Sequence, residues 1–186
     1  MDMNTPATGN TRVSKASQSN LIASSDNRMH DFVLSDEERH EIEHEMTHYE
    51  NPRAASIGAL KTVQRRRGWV SDGAVIAISD VLGIPASDVE GVATFYSLIF
   101  RQPVGRHVVL VCDSSSCHLT GHDELRDAIS GELGIGPGQT TEDDRFTLLP
   151  VCCLGACDRG PALMIDDDLH GPVEPNEVAA LLERYS

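Results

Sequence analysis

The chain has 186 residues and a formal net charge of -14, with 40% hydrophobic but only 4% aromatic content. The acid excess argues against binding nucleic acid through its phosphates, because that affinity comes from Lys and Arg and the counterions they release. The shortage of rings means that a core must rest on Leu, Ile, Val and Ala, and no apolar run approaches the roughly 20 residues that span a bilayer.

Residues 1–33 are polar, rich in Ser, Thr and Asn, and read as a disordered tail. Arg12, Lys15 and Arg28 are too few and too scattered for a mitochondrial transit peptide. A basic segment followed by an apolar one, the mark of a secretory signal, is not seen. A cytoplasmic setting is therefore expected, where disulfides are disfavoured and cysteines serve more often as ligands or catalysts.

Residues 34–102 read as four short helices. Ser35 and Glu38 make a Ser-x-x-Glu capping box at the head of LSDEERHEIEHEM. Ile42, Met46 and Tyr49 follow at helical spacing. Asn51-Pro52 interrupts, and a second helix runs from Ala54 to about Arg67, ended by Gly68. Ser71 caps a third, GAVIAISDVL, which stops at Gly83. Pro85 and Ser87 open a fourth, DVEGVATFYSLIF. Arg65, Arg66 and Arg67 complement the negative end of the second helix.

The pattern changes at Pro103-Val104-Gly105, and 103–186 forms a second unit. HVVLVC is a β-branched run and predicts a buried strand. GHDELRDAISGEL is helical through Leu125, Ile129 and Leu133, and GIGPGQTT is a turn cluster. RFTLLPVC and ALMIDD predict two more strands, DLHGPV turns back, and Glu174 to Tyr185 closes as an amphipathic helix. A right-handed crossover is expected if the first two strands lie parallel. A unit this small is marginal on burial alone, and a bound metal centre often adds the stability it lacks.

The five cysteines lie in two stretches, CDSSSCHLTG and PVCCLGACDRGP, each beginning where a strand ends. If those strands are parallel neighbours, both stretches leave the sheet at one edge and four thiolates converge. Cys112 and Cys117 have the Cys-x4-Cys interval of plant-type [2Fe–2S] ferredoxins. Structural zinc also uses closely spaced cysteine pairs, so spacing leaves zinc open, although the wider intervals suit a binuclear cluster better. Ser114, Ser115 and Ser116 offer hydroxyls and N–H groups to the sulfurs, and Gly155 and Gly160 allow close backbone approach. Successive residues of an extended chain face opposite ways, so one of Cys152 and Cys153 points to the centre and the other into the apolar interior. Spacing does not say which.

GVATFYSLIF, PVGRHVVLVCDSSSC and LLPVCCLGACDRGP resemble the family of small [2Fe–2S] subunits of bacterial NADH:quinone oxidoreductase, respiratory complex I. The resemblance runs from about Leu34 to Ser186. It implies an α+β chain, with an N-terminal helical bundle followed by a thioredoxin-like α/β domain that carries the cluster. The family's C-L-G-x-C falls on Cys153-Leu154-Gly155-Ala156-Cys157, so the implied ligands are Cys112, Cys117, Cys153 and Cys157, with Cys152 outside. The implied role is one-electron exchange with FMN in a partner flavoprotein subunit that also binds NADH. This chain has no nicotinamide or flavin motif of its own: no G-x-G-x-x-G follows a strand. Acidic neighbours Asp113 and Asp158 predict a low reduction potential.

Rival readings are the equivalent small subunit of a soluble NAD-dependent formate dehydrogenase or hydrogenase, a thiol–disulfide oxidoreductase and a zinc-binding interaction module. The second lacks the Cys-x-x-Cys of its chemistry. The third would be colourless. His118, next to Cys117, either bonds near the centre or faces solvent. Phe95, Tyr96 and Phe100 are expected to pack in a core or an interface.

Overall fold

The computed structural model describes residues 32–185, so the tail expected over 1–33 lies outside the described residues except for Phe32 and Val33. The first helix, α1, is Asp36–Met46. Ser35 Oγ accepts from the Glu38 N–H at 3.1 Å, and Glu38 Oε2 accepts from the Ser35 N–H at 2.8 Å. Two otherwise orphaned donors are satisfied by this exchange. Glu38 is buried and also takes the Arg67 guanidinium, with Nε to Oε1 at 2.7 Å. Those contacts, the Arg67 bond foremost, hold its carboxyl below the usual carboxylate range.

A short 3-10 turn at Pro52–Ala55 leads into α2, Ser56–Arg67, which ends at Gly68 with φ +80°. Helix α3, Asp72–Leu82, is capped by Ser71 and ends at Gly83 with φ +65°. Glycine reaches such angles without steric cost. Helix α4 is Ala86–Phe95, shorter than the sequence suggested. Gln64 of α2 is the reason. Its Nε2 donates to Leu98 O at 2.8 Å and its Oε1 accepts from the Phe100 N–H at 2.7 Å, drawing the chain out of helical geometry. Phe100 O then accepts from the Val70 N–H. Leu34, Ile42, Leu60, Val63, Ile78 and Val89 form the core of this region.

The remainder is a four-stranded sheet of order β2-β1-β3-β4: β1 His107–Cys112, β2 Phe146–Val151, β3 Leu163–Ile165 and β4 Asp168–His170. β1 and β2 are parallel, and the other two pairings are antiparallel. Helices α5, Ser115–Thr120, and α6, His122–Leu133, connect β1 to β2. The chain closes with a 3-10 turn at Pro175–Glu177 and a short α7, Val178–Leu182, rather than one helix from Glu174 to Tyr185. Leu125 and Ile129 of α6 and Val178, Leu181 and Leu182 of α7 pack with Val109, Val111, Leu148 and Ile165 of the sheet.

Two further elements differ from expectation. β4 occupies what read as a turn, because Asp166 adopts φ +54° and makes a tight reversal with Asp167. Aspartate visits that region more readily than most residues, and contacts to β1 hold its side chain. Here Asp166 Oδ1 accepts from the Val108 N–H at 2.9 Å, and Oδ2 lies 2.7 Å from His107 Nδ1. The serine run after Cys112 gave no helical signal, yet Ser115 opens α5 behind an extended Ser114. Serine favours a helix start as readily as a turn.

Candidate metal centre

The parallel register of β1 and β2 sets the site. Cys112 is the last residue of β1 and lies opposite Val151, the last residue of β2. The Asp113 N–H donates to Val151 O at 2.8 Å, so the two chains leave the sheet together. Cys112 is followed by α5, which carries Cys117. Val151 is followed by the loop carrying Cys152 and Cys153 and by a 3-10 turn, Cys157–Arg159. Leu154 and Ala156 of this loop pack on Cys112, Cys117 and Ala162. The two cysteine stretches therefore meet at one edge.

The inner sulfurs are buried, with Cys112 2% and Cys117 1% exposed. Burial pushes both thiols up, because an apolar surrounding disfavours the thiolate. At Cys112 the Ser114 hydroxyl and the Leu154 and Ser114 N–H groups outweigh burial, and the thiol lies below its ordinary range. At Cys117 burial prevails, aided by the neighbouring Cys112, and the thiol lies above it. The thiolate is the metal-binding form, and these surroundings favour it more at Cys112 than at Cys117. Its Sγ lies 3.4 Å from Ser114 Oγ. Ser115 and Ser116 sit in the first turn of α5 instead.

The outer pair is exposed. Cys153 Sγ and Cys157 Sγ are 3.9 Å apart, and the Gly155 N–H donates to Cys153 Sγ at 3.3 Å. Gly155 can aim its N–H this way because it sits at φ +75°. Gly160 is required by contact: a Cβ there would fall 2.6 Å from Thr120 Oγ1 and 3.5 Å from Cys117 Sγ. Cys152 is exposed and does not enter the interior as expected. Its strand ends one residue earlier, at Val151, so the alternation of a pleated chain no longer governs it.

Asp113 is half-exposed and Asp158 strongly exposed. Asp113 Oδ1 lies 2.7 Å from His118 Nε2, which places His118 beside the site. His122, buried at the start of α6, was missed from the sequence. Its distance of four residues from His118 was the available signal. Phe95 is 80% exposed and Tyr96 45%, so neither packs in the core, while Phe100 is half-buried.

These donors suit a binuclear cluster. One zinc with sulfurs at about 2.3 Å would gather all four to within about 3.8 Å of one another. Among the described residues, the metal-ligating side chains that converge as a group within 4.8 Å are Asp113, His118 and His122, not the cysteines. The sulfurs stand instead as a buried pair, Cys112 and Cys117, and an exposed pair, Cys153 and Cys157, a division that would suit two irons taking two thiolates each.

A four-stranded sheet whose parallel pair, β1 and the edge strand β2, releases a cysteine-bearing stretch at the same end of each strand defines a thioredoxin-like domain of the iron–sulfur class. The chain belongs to the thioredoxin-like [2Fe-2S] ferredoxin family, whose model matches residues 42–186. It is 68% identical over 169 residues to the E subunit of the NADH-quinone oxidoreductase of Pseudomonas aeruginosa, covering 91% of this chain and 99% of that one. The corresponding Escherichia coli protein, of the same name, is 66% identical over 154 residues, covering 83% of this chain and 93% of its own length. Among solved structures, an air-oxidized NAD+-reducing [NiFe]-hydrogenase chain superposes with a TM-score of 0.59 at 25% identity. That match covers 68% of this chain and 22% of the hydrogenase chain. These relatives are subunits or parts of oxidoreductase complexes.

Proposed function

We propose that the chain is the [2Fe–2S] electron-transfer subunit of an NADH:quinone oxidoreductase, with Cys112, Cys117, Cys153 and Cys157 as ligands. The observation that carries this reading is the meeting of the two cysteine stretches at the shared end of β1 and β2, with Cys112 level with Val151. Cys153 is preferred over Cys152 because its sulfur pairs with Cys157 and accepts the Gly155 N–H. When bound, the cluster supplies reversible one-electron transfer. The residues of this chain set its terms. The Leu154 and Gly155 N–H groups direct hydrogen bonds at sulfur, as the Ser114 hydroxyl beside Cys112 can once that sulfur is a thiolate; such bonds favour the more negative state, and the exposed outer pair gives a partner access. Asp113 opposes added negative charge.

The electron partner is the flavoprotein subunit that carries NADH and FMN, and the assembly holds this chain at the cytoplasmic side of the inner membrane. Among the described residues no helix is long and apolar enough to cross a membrane. The chain divides functionally near residue 102, with helices before it and the cluster-bearing unit after it. A hydrogenase-type host is the second reading, favoured by the 0.59 superposition. The 68% identity to a complex I subunit outweighs it. Anaerobic purification with iron and sulfide counts, and electron paramagnetic resonance before and after dithionite, tests the cluster. Two irons and two sulfides with a signal only after reduction are expected. A single metal, or none, would sink the reading. Co-purifying subunits identify the host.

A further inference from the structure

We propose that Asp113, His118 and His122 form a second site, separate from the cysteines, for a borderline divalent cation of the Zn²⁺ type. One ligand atom from each lies within 4.8 Å of the others. His118 Nε2 is 2.7 Å and His122 Nε2 is 3.7 Å from Asp113 Oδ1, and the two ring centroids are 4.3 Å apart. Gly121, at φ +116°, turns the chain between α5 and α6 and brings the rings together.

His122 makes this more than a polar surface cluster. It is only 4% exposed. Its Nδ1 lies 3.0 Å from Cys112 O, and a carbonyl can only accept, so the ring proton sits on Nδ1. In the neutral ring Nε2 carries the lone pair, and it faces Asp113 Oδ1 at 3.7 Å, beyond hydrogen-bond distance. A buried imidazole that donates one nitrogen to a backbone carbonyl and aims the other outward is the arrangement that orients metal-binding histidines. Two imidazoles and one carboxylate, with a fourth position left to solvent, match the donor set of open zinc sites. Imidazole favours zinc, nickel or cobalt over the oxygen-seeking calcium and magnesium.

The site would couple to the cysteine centre by charge. Asp113 follows Cys112, and His122 holds the Cys112 carbonyl. A cation there neutralises Asp113 and makes reduction of the centre easier. The coupling rests on the cluster reading; the site itself does not.

The test uses the full chain with its cluster assembled, titrated anaerobically with Zn²⁺ by calorimetry. Iron is counted before and after, and the zinc X-ray absorption edge is recorded. One Zn²⁺ per chain is expected, with only nitrogen and oxygen neighbours at about 2.0–2.1 Å. Iron is retained and the reduction potential rises. His118→Gln, at an exposed position that does not threaten folding, weakens binding by at least about tenfold, and so does His122→Gln. Absence of binding, sulfur neighbours at about 2.3 Å, or affinity that survives His118→Gln overturns the proposal. A starting iron count of zero refutes the cluster reading alone, since the zinc neighbours still report whether nitrogen or sulfur binds.

Discussion

Gly160→Ala puts one methyl group where the two halves of the candidate centre touch. The backbone tolerates it, because Gly160 has φ -75° and ψ 153°, values open to any L-residue. The contact does not. The new Cβ would stand 2.6 Å from Thr120 Oγ1, against 3.4 Å for ordinary contact. One side must yield by roughly 0.8 Å, and an sp3 carbon held that close to oxygen is strained. Thr120 cannot swing away freely, because its Oγ1 donates to Ser116 O and Cys117 O at 3.0 and 3.2 Å. The outer loop must shift relative to Cys117. Overpacking of this kind costs about 1–3 kcal/mol, and a centre that tolerates about 0.5 Å of misplacement loses occupancy. The expected result is fewer irons per chain after reconstitution and a lower urea midpoint, read by loss of visible absorbance. Thr120→Ala in the same chain removes the obstructing oxygen and restores most of both, a coupling of at least about 1 kcal/mol in the double-mutant cycle. Full iron and an unchanged midpoint in Gly160→Ala, or a defect that Thr120→Ala does not relieve, would refute the reasoning.

Gly155→Ala has the opposite profile. No atom lies within 4 Å of the new Cβ, but φ is +75°, so it loses about 1–2 kcal/mol to backbone strain that no second substitution relieves, as urea unfolding can check. Cys152→Ser keeps two irons per chain, whereas Cys153→Ser loses them; the reverse pattern by iron analysis would exchange their roles. Asp113→Asn raises the reduction potential measured by dithionite titration, and Asp158→Asn raises it less, because Asp158 is 79% exposed and screened by solvent. Glu38→Gln lowers stability by about 2 kcal/mol, the worth of a charge-assisted bond. Since folding lowers the Glu38 pKa, its contribution is complete above the unfolded carboxylate range and fades as pH falls toward the folded value. Urea midpoints from neutral to acid pH should therefore converge for wild type and Glu38→Gln.

Signals between near neighbours were legible in the sequence. Ser35 and Ser71 start helices where their side chains reach the next turn, and Gly68 and Gly83 end them by their backbone freedom. The cysteine edge was legible only on condition that β1 and β2 run parallel, which no local pattern dictates. What was misread depends on distant partners or single backbone angles. Gln64 ends α4 from 34 and 36 residues away. Asp166 creates β4 by adopting a positive φ. Cys152 escapes the interior because the ladder stops one residue early. His122 looked like one polar residue among eight histidines until the Cys112 carbonyl fixed its ring.

The unequal shelter of the five thiols has a bearing on how the protein ages in air. Cys112 and Cys117 are walled in by Leu154, Ala156 and Ala162, while Cys152, Cys153 and Cys157 stand open. Stripped of iron, the chain meets peroxide first at the outer three, and Cys153 and Cys157 are near enough to join with little movement. Damage should begin on that rim and leave the inner two reduced, so a timely thiol reductant returns a molecule still able to take up metal.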